Sequence, residues 1–437
     1  MKKFIIKTLG CKTNQAESAL IAEILLENGF AETRLISEAD YYILNSCSVT
    51  HTADEKNLSY LRRAKHENKN IITVLTGCMA QLEKDRLIKN NTADYVIGNY
   101  EKNDIAEILN SEKKCCVSDI FSHSDFRYKK LRRIDKTRAF IKIQDGCNNR
   151  CAYCTIPYAR GINRSDLIEH IIEQINSAAA QGYYEAVLTG IHIGQWGADF
   201  TPQKKLLNLI EEIEKTNIHR YRLGSLNPLE LTEDFIDFLA QSKKFCPHFH
   251  LSLQSVCDKT LAAMNRRYSA DKIKSLCSCI NDKFKNAFTG CDIIAGFPGE
   301  TEKDFQITAE NLSDLKLSKM HIFPYSKRSG TIAANMPSQI DEFEKKRRCR
   351  ILKQISDKKH HDFLLSNIGL KHEIIIEKTP QKNSRLLKGL TKNYISVLIE
   401  NKADLAETMQ TAVITGFFDD GCEKGGNSEK MRAEIVL

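Results

Sequence analysis

The chain has 437 residues, of which 42% are hydrophobic, and a formal net charge of +8. This length predicts more than one domain with buried cores. No run of about 18 apolar residues occurs, which excludes a transmembrane helix, and Lys7 interrupts the first apolar run too early for a secretion signal. Fifteen cysteines without such a signal predict a cytoplasmic protein whose reduced thiols can act as ligands. The positive charge favours an anionic partner.

The N-terminal part of the chain alternates β-rich apolar runs with helix-like runs, a pattern typical of α/β units. The predicted strands are Phe4–Leu9, Tyr41–Leu44, Ile71–Leu75 and Asp94–Gly98, and the first predicted helix is Ala16–Glu27. We therefore expect a Rossmann-like parallel α/β module here.

A cysteine follows three of these predicted strands: Cys11, Cys47 and Cys78. Because ligands bind beyond the carboxyl ends of strands in open parallel sheets, the three thiols are expected to share one crevice and hold a cluster. Gly10 and Gly77 precede two of them and allow a close backbone approach. The alternative is that all three are buried as small hydrophobic side chains. Nine further cysteines are predicted to be structural: Cys115, Cys116, Cys246, Cys257, Cys277, Cys279, Cys291, Cys349 and Cys422.

The segment from Ser124 to Arg138 is dense in positive charge and contains two aromatic residues. It is interpreted as a linker that either contacts phosphate groups or is merely solvated.

Cys147, Cys151 and Cys154 are spaced C-x3-C-x2-C, with Tyr153 just before the last cysteine. Three thiolates on one tight loop can hold an iron–sulfur cube and leave its fourth iron open. An open iron suits radical generation from S-adenosylmethionine. A structural zinc site is the alternative, but zinc usually requires a second ligand pair, and the next cysteine is Cys246.

From Arg138 to about Tyr325 the strand–helix alternation resumes, which predicts parallel strands with helices outside. The predicted strands are Ala139–Gln144, Ala186–Thr189, Arg220–Leu223, His248–Leu253, Ala287–Ile294 and Lys319–Phe323. The predicted helices are Leu167–Gln181, Lys204–Lys215, Thr232–Ser242, Asp271–Phe284 and Glu302–Leu315. Six units are fewer than the eight of a closed barrel, so we expect a partial (β/α)6 barrel with a lateral opening.

Polar and glycine-rich segments lie at the carboxyl ends of these strands, where barrel enzymes place their sites. The candidate cofactor contacts are Tyr153, Gly190, His192, Ser225, Gln254, Gly296, Pro298 and Gly299. The turn that contains Gly296 is a weak signal by itself, and a lone histidine such as His192 is more often structural.

The tail begins with a long helical pattern, Ser338–Ser366, which carries basic runs that suggest either a solvated face or RNA contact. Short alternating strands follow, which predict a small antiparallel barrel with a loop from Asp419 to Lys430. The predicted strands are Glu373–Glu377, Tyr394–Ile399, Thr411–Thr415 and Ala433–Leu437.

With these features in view, nearly the whole chain resembles the radical S-adenosylmethionine methylthiotransferases. Residues 9–18 (LGCKTNQAES), 47–54 (CSVTHTAD) and 142–147 (KIQDGC) are most similar to the branch that acts on threonylcarbamoyladenosine in tRNA. The isopentenyladenosine branch typically has Gln-Met after the first cysteine, and the ribosomal-protein branch Pro-Lys-Asn. Further similar segments are residues 156–161, 264–268 and 323–331.

The resemblance implies two [4Fe-4S] clusters. Cys147, Cys151 and Cys154 would hold the catalytic cluster that cleaves S-adenosylmethionine to a deoxyadenosyl radical. Cys11, Cys47 and Cys78 would hold an auxiliary cluster that carries or donates sulfur. A second S-adenosylmethionine would supply the methyl group, giving a 2-methylthio group on a threonylcarbamoyladenosine just 3′ of a tRNA anticodon.

The implied partners are the tRNA anticodon stem-loop and an electron donor such as flavodoxin or ferredoxin, with the sulfur donor unspecified. The expected domains are residues 1–120 for the auxiliary cluster, 121–137 as linker, 138–366 for the radical barrel, and 367–437 as an RNA-binding TRAM-like barrel. The alternatives are isopentenyladenosine or a ribosomal protein as substrate, or a non-catalytic Fe–S protein that binds RNA or senses iron.

Overall fold

The computed structural model describes residues 1–130, 137–377, 386–401, 405–418 and 430–436. Three regions of regular structure follow one another along the chain, namely a parallel sheet, an incomplete parallel barrel and a small closed barrel. The predicted fold class is confirmed.

The N-terminal sheet, Lys3–Cys116, has the strand order β2-β1-β3-β4-β5-β6, and all pairings are parallel. Its strands are β1 (Lys3–Thr8), β2 (Ala31–Glu32), β3 (Tyr41–Ser46), β4 (Ile72–Gly77), β5 (Tyr95–Ile97) and β6 (Cys115–Cys116). Its helices are α1 (Lys12–Glu27), α2 (His51–Glu67), α3 (Cys78–Leu82), α4 (Lys84–Lys89) and α5 (Ile105–Leu109).

Helices cover both faces of this sheet, because its central strand is apolar on both sides. All six residues of β3 are buried, as is typical of parallel strands. Ile43 packs in one core with Leu25 of α1, whereas Leu44 packs in a second core with Leu61 of α2. The buried strands fix the positions of the loops that follow them.

The central barrel, Ala139–Pro324, consists of two parallel sheets, with the orders β11-β10-β7 and β12-β13-β14-β15, and an antiparallel pair of short strands, β8-β9. Its strands are β7 (Ala139–Lys142), β8 (Gln144–Asp145), β9 (Arg164–Ser165), β10 (Glu185–Thr189), β11 (Arg220–Leu223), β12 (Ser225–Leu226), β13 (His248–Gln254), β14 (Phe288–Ala295) and β15 (Lys319–Pro324). Its helices are α6 (Ile156–Arg160), α7 (Ile168–Ala180), α8 (Leu206–Glu214), α9 (Glu233–Gln241), α10 (Asp258–Ala263), α11 (Ala270–Lys283), α12 (Glu302–Asp314) and the following α13 (Glu342–Leu365).

Each of the six predicted barrel strands has a counterpart in the structure. Alternate residues point to opposite faces of a strand, so Leu251 and Cys291 pack in the core under the helices, whereas His250 and Asp292 are only half-buried. The long tail helix begins at Glu342 rather than at the predicted Ser338. Ser338 has a φ of 56°, outside the helical region, and the Asp341 side chain caps the helix by accepting a hydrogen bond from the Glu344 N–H.

The C-terminal barrel closes in the order β16-β17-β18-β20-β19. Its strands are β16 (Lys371–Ile376), β17 (Leu386–Thr391), β18 (Ser396–Glu400), β19 (Met409–Phe417) and β20 (Met431–Ile435). The prediction lacked β17 and expected only antiparallel pairs, whereas β18 and β20 pair in parallel. Residues 419–429 of the predicted loop, which include Cys422, lie outside the described residues. None of the described helices is both long enough and apolar enough to cross a bilayer.

Candidate cluster sites and substrate cavity

The structure brings Cys11, Cys47 and Cys78 to one edge of the N-terminal sheet. They follow β1, β3 and β4, which are adjacent strands. A Cβ atom on Gly10 would lie 2.7 Å from the Cβ of Cys47, and one on Gly77 would lie 2.4 Å from the Ser46 carbonyl oxygen. Both glycines have positive φ, so they allow the three cysteine loops to pack against each other.

The thiols of this N-terminal triad are crowded. Burial is the main cause that raises the pKa of Cys47 to about 12, and the neighbouring Cys78 and Cys11 contribute to the same increase. Three such thiols become thiolates together only where a cationic partner replaces their protons, as iron does. The donor set therefore fits an iron–sulfur cluster.

The second triad lies on the loop after β8. The Cys147 N–H donates to the Gly161 carbonyl at 3.0 Å, and the Cys154 N–H donates to the Cys151 carbonyl at 3.1 Å. Burial raises the pKa of Cys154 to about 12, and Cys151 and Cys147 contribute in the same direction. These three thiols are thus held together by the backbone of one short loop.

The cysteine triads differ from the compact ligand group that a single metal ion needs. Two thiolates on one zinc lie at most about 4.6 Å apart, because each Zn–S bond is about 2.3 Å long. Among the described residues, the group found with all three donor atoms within 4.8 Å of one another is His250, Asp292 and His321. A cube accommodates three thiolates at wider spacing, because each thiolate binds a different iron.

Two charged side chains contact the Cys147–Cys154 loop. Arg266 donates a hydrogen bond to the Cys151 sulfur at 3.3 Å. His192 Nδ1 lies 3.6 Å from the Cys147 sulfur, while its Nε2 pairs with Glu230. Burial disfavours a charge on His192, but the bonds to Cys147 and Glu230 outweigh it and raise its pKa to about 10.

The segment after β10 connects the surroundings of both triads. The hydroxyl groups of Thr189 and Thr13 lie 3.4 Å apart, and Thr13 is two residues from Cys11. Three residues beyond Thr189, His192 contacts Cys147. The two triads therefore flank one short stretch of the central barrel.

A cavity of about 440 Å³ opens beside Cys11, between the three regions of the chain. Its lining includes Lys12 and Thr13 of the N-terminal sheet region, strand residues of the central barrel, and Tyr394 to Ser396 of the C-terminal barrel. The remaining lining residues are Thr189, Gly190, Gly224, Ser225, His248, His250, Phe288, Lys319, His321, His360 and Leu364. The volume suits a small organic group rather than a chain segment.

Of the predicted cofactor contacts, Gly190 and Ser225 line this cavity, and His192 touches Cys147. Tyr153 packs instead with an apolar cluster that contains Met264 and Phe297. Gln254 ends β13 at a register shift and has a φ of 66°.

The turn from Gly296 to Gly299 has its own structural role before α12. The Gly296 N–H donates to the Glu300 carboxylate at 2.8 Å, and the Gly299 N–H donates to the Ser338 carbonyl at 3.0 Å. Pro298 is buried between them. No bound cofactor is needed to explain these contacts, and a cofactor role for the three residues stays a prediction.

The sequence analysis missed several residues that build the site. Glu17 and Arg160 join the N-terminal and central regions with contacts of 2.8 and 3.0 Å. Lys12 and Tyr394 reach the cavity from opposite ends of the chain. Arg160 lies in residues 156–161, and Lys12 and Glu17 lie in residues 9–18, so all three belong to segments that carried the family resemblance. Spacing alone gives no signal that Arg160 and Glu17 are partners.

The basic runs mostly form ion pairs within the protein. In the linker, Arg127 pairs with Asp104 and Lys130 with Glu173, and residues 131–136 lie outside the described part. In α13, Arg348 binds Glu300 at 2.6 Å. These ion pairs indicate that the paired residues stabilise the packing of the linker and of α13 against the rest of the protein, rather than contact phosphate groups.

Comparison with known proteins shows which family the chain is similar to. Residues 3–98 match the Uncharacterized protein family UPF0004, and residues 141–312 match the Radical SAM superfamily. The Threonylcarbamoyladenosine tRNA methylthiotransferase MtaB of Aquifex aeolicus is 35% identical over 94% of this chain and 100% of its own length. The chain belongs to the radical SAM tRNA methylthiotransferases. As a member, it is an enzyme of tRNA modification that uses a [4Fe-4S] cluster and S-adenosylmethionine.

Relatives of this methylthiotransferase differ in the substrate that their names give. A tRNA-2-methylthio-N(6)-dimethylallyladenosine synthase of Dictyoglomus thermophilum is 36% identical over 93% of this chain and 94% of its own length. The MtaB protein of Bacillus subtilis is 34% identical over 91% of this chain and 90% of its own. Overall similarity therefore leaves the modified nucleoside open.

A solved structure has a similar fold. The radical S-adenosylmethionine methyltransferase TsrM from Kitasatospora setae aligns with a TM-score of 0.57 over 76% of this chain and 77% of its own. Sequence identity is 14%, so the likeness concerns the fold alone.

Proposed function

We propose that this methylthiotransferase inserts a 2-methylthio group into N6-threonylcarbamoyladenosine adjacent to the 3′ side of a tRNA anticodon. The observation that carries the proposal is the set of basic side chains that line the cavity beside Cys11. Lys12, His250, Lys319 and His321 line it, which suits a charged, hydrogen-bonding substituent better than an apolar dimethylallyl group. The residues that follow Cys11 support the same branch.

Two clusters are proposed, one on each cysteine triad. When bound, the cluster at Cys147, Cys151 and Cys154 supplies reductive cleavage of S-adenosylmethionine, and the cluster on the other triad supplies sulfur. A radical is required because the C2–H bond of adenine has no leaving group and is not acidic. An electron donor such as flavodoxin or ferredoxin would supply the reducing equivalents.

The protein's own residues hold this arrangement. The Arg266 hydrogen bond fixes the Cys151 side chain, and the contact between His192 and Glu230 fixes the imidazole beside Cys147. Thr13 and Thr189 keep the Cys11 loop against the barrel. Residues from three regions of the chain line the cavity together.

We further propose a division of labour along the chain. Residues 1–120 would hold the auxiliary cluster, residues 138–366 would bind S-adenosylmethionine and the target base, and residues 367–437 would contribute to tRNA binding. The anticodon stem-loop would present its base after extrusion from the stack, as in other enzymes that act on a nucleobase.

The test is the nucleoside profile of tRNA from a deletion strain complemented with variants of this gene. Loss of the 2-methylthio form of threonylcarbamoyladenosine, restored by wild type, is expected. Loss of the dimethylallyl form instead, or of neither, would overturn the substrate assignment.

The auxiliary cluster is tested separately with purified protein. Reconstituted wild type should hold about eight irons per chain, and Cys47→Ala about four. Cys279→Ala is the matched control, since Cys279 lies on α11 outside both triads. Equal iron content in wild type and Cys47→Ala would refute a cluster on the N-terminal triad.

A further inference from the structure

Lys12 lies directly after Cys11 and starts helix α1, and both residues line the cavity. Its side chain extends toward the C-terminal barrel, where its Nζ lies 5.6 Å from the centre of the Tyr394 ring. The ammonium group therefore lies in the space that a base beside Cys11 would enter.

Tyr394 is surrounded by three cations, of which two have carboxylate partners. The guanidinium carbons of Arg222 and Arg138 lie 4.9 and 5.9 Å from its ring centre. Glu185 pairs with both arginines, at 2.9 and 3.4 Å.

Lys12, by contrast, forms no hydrogen bond or ion pair with any residue in the described segments, and its ammonium group lies over the Tyr394 ring. Its neighbour Thr13 is fully buried, and Lys12 itself is half-buried. An ammonium group that is partly removed from water without a counter-ion is unfavourable. The arrangement thus leaves one positive charge in the cavity that a ligand can neutralise.

The anion that reaches Lys12 is expected to belong to the base and not to the phosphate backbone. A base that is extruded from RNA enters a pocket with its substituents, while the sugar–phosphate backbone remains outside. An N6 substituent that ends in a carboxylate would bring a negative charge to Lys12, whereas an apolar substituent would desolvate the ammonium without compensation.

We propose that the Lys12 ammonium binds the carboxylate of the N6 substituent on the target adenosine and thereby selects a carboxylate-bearing nucleoside over an apolar one. This assignment rests on the proposed function and adds the residue that carries the specificity.

The experiment uses three synthetic anticodon stem-loops that differ only at the target adenosine. One carries threonylcarbamoyladenosine, the second its carboxamide analogue, and the third dimethylallyladenosine. The reconstituted enzymes are wild type, Lys12→Gln and Lys12→Arg, compared at equal iron content. Lys69→Gln is the matched control, because Lys69 is exposed in a turn after α2. The measured quantity is kcat/KM for formation of the 2-methylthio nucleoside.

For wild type, replacing the carboxylate with the carboxamide is expected to lower kcat/KM about 10- to 100-fold, as for loss of a charged hydrogen bond. Lys12→Gln should show a similar loss on the carboxylate stem-loop and no further loss on the carboxamide. This non-additivity is the signature of direct contact. Lys12→Arg should retain most of the carboxylate preference, and Lys69→Gln should behave as wild type.

The outcomes separate the two proposals. If the losses from Lys12→Gln and from the carboxamide multiply, or if Lys12→Gln equals wild type on the carboxylate, the Lys12 assignment is wrong and the proposed function stands. If wild type modifies only the dimethylallyl stem-loop, the proposed function is wrong and the Lys12 assignment falls with it. Where Lys12→Gln does not assemble its clusters, Lys12→Arg is the second test, because loss of the carboxylate preference in Lys12→Arg at full iron content would overturn the assignment. Equal kcat/KM of wild type on the carboxylate and the carboxamide would overturn it without any variant.

Discussion

Two junctions hold the central barrel between its neighbours, and each contains a buried glutamate surrounded by cations. At the N-terminal junction, Glu17 of α1 binds Arg160, Lys102 and Lys142. At the C-terminal junction, Glu185 of β10 binds Arg220 and Arg222 at 2.8 and 2.9 Å. Both junctions thus contain a buried ion-pair cluster, but they differ in which chemical groups form the contacts between neighbouring regions.

At the N-terminal junction, side chains make the crossing contacts. Arg160 of the central barrel donates to Glu17 at 2.8 and 3.0 Å and to Asn14 at 2.6 Å. Arg160 also binds Asp145, two residues before Cys147, at 2.9 Å. The position of the N-terminal sheet relative to the Cys147 loop thus depends on these particular side chains.

At the C-terminal junction, the crossing bonds of Arg220 and Arg222 end on backbone carbonyl groups, and a side-chain pair, His219 with Glu373 at 3.0 Å, accompanies them. Arg220 donates to the Leu390 carbonyl at 3.0 Å, and Arg222 donates to the Lys392 carbonyl at 2.9 Å. Glu185 stays within the central barrel and orients the two guanidinium groups. Any residue provides a carbonyl, so the sequence of the C-terminal barrel can vary at this contact without loss of the bonds.

Glu185→Gln should have the largest effect on stability. Glu185 is fully buried and is the acidic partner of Arg138, Arg220 and Arg222. Its neutralisation leaves their charges without compensation, so we expect a loss of about 5 kcal/mol in the free energy of unfolding. Denaturant unfolding measures this loss, and hydrogen exchange in β16–β20 reports release of the C-terminal barrel. Unchanged protection there would contradict the role of the junction.

Glu17→Gln should cost less, about 3 kcal/mol, because Asp145 remains as a second carboxylate beside Arg160 and Lys142. The same unfolding measurement applies, with hydrogen exchange of α1 as the local report. Glu27→Gln is the control on the same helix, since the ion pair of Glu27 with Lys129 is about one-third exposed and exposed pairs contribute at most about 1 kcal/mol. Equal losses for both variants would refute a special role of Glu17.

The N-terminal junction should also respond to acid. Burial alone would raise the pKa of Glu17, but Arg160, Lys102 and Lys142 hold its pKa well below the ordinary 4.5. The unfolded chain therefore binds this proton at a higher pH than the folded chain. Stability from Glu17 is fully present above pH 4.5 and is lost as the pH falls toward the folded pKa.

Between about pH 5 and pH 3, the unfolding free energy of wild type should thus decline more steeply than that of Glu17→Gln, which has no such proton to bind. Urea unfolding at several pH values measures both slopes. Identical slopes would show that Glu17 does not contribute to the acid sensitivity.

Lys392→Ala should have the smallest effect, below about 1 kcal/mol. The Lys392 carbonyl still accepts from Arg222 in the variant, and the lost side chain was only a partner of Lys243 and Glu373 near the surface. Thermal unfolding provides the comparison with Glu185→Gln. A loss as large as that of Glu185→Gln would show that side chains rather than carbonyl groups hold the C-terminal junction.

Much of the fold followed from local patterns. Six of the nine strands β7–β15 and four of the six strands β1–β6 were predicted, because buried parallel strands form continuous apolar runs. Strand β17 was missed, since Lys388 and Gly389 interrupt its pattern. The parallel pairing of β18 with β20 depends on barrel closure, which no local pattern reports.

The candidate site also contains some features that were predicted from local sequence and others that depend on packing. Gly190 and Ser225 line the cavity, as expected for strand ends. The Gly296–Gly299 turn was also chosen as a strand end, and its N–H groups bond to Glu300 and Ser338 within the protein. Its cofactor role stays a prediction, because these bonds show what holds the turn and not what the turn binds.

The sequence by itself determined the family and the Cys147–Cys154 loop, because three ligands within one turn require no distant partner. Only the tertiary structure showed that Glu17 meets Arg160, 143 residues away, and that Lys12 faces Tyr394 across a cavity. Such pairs depend on how separate regions pack, and a charged residue on an exposed helix face has the same local sequence pattern as one buried at a junction.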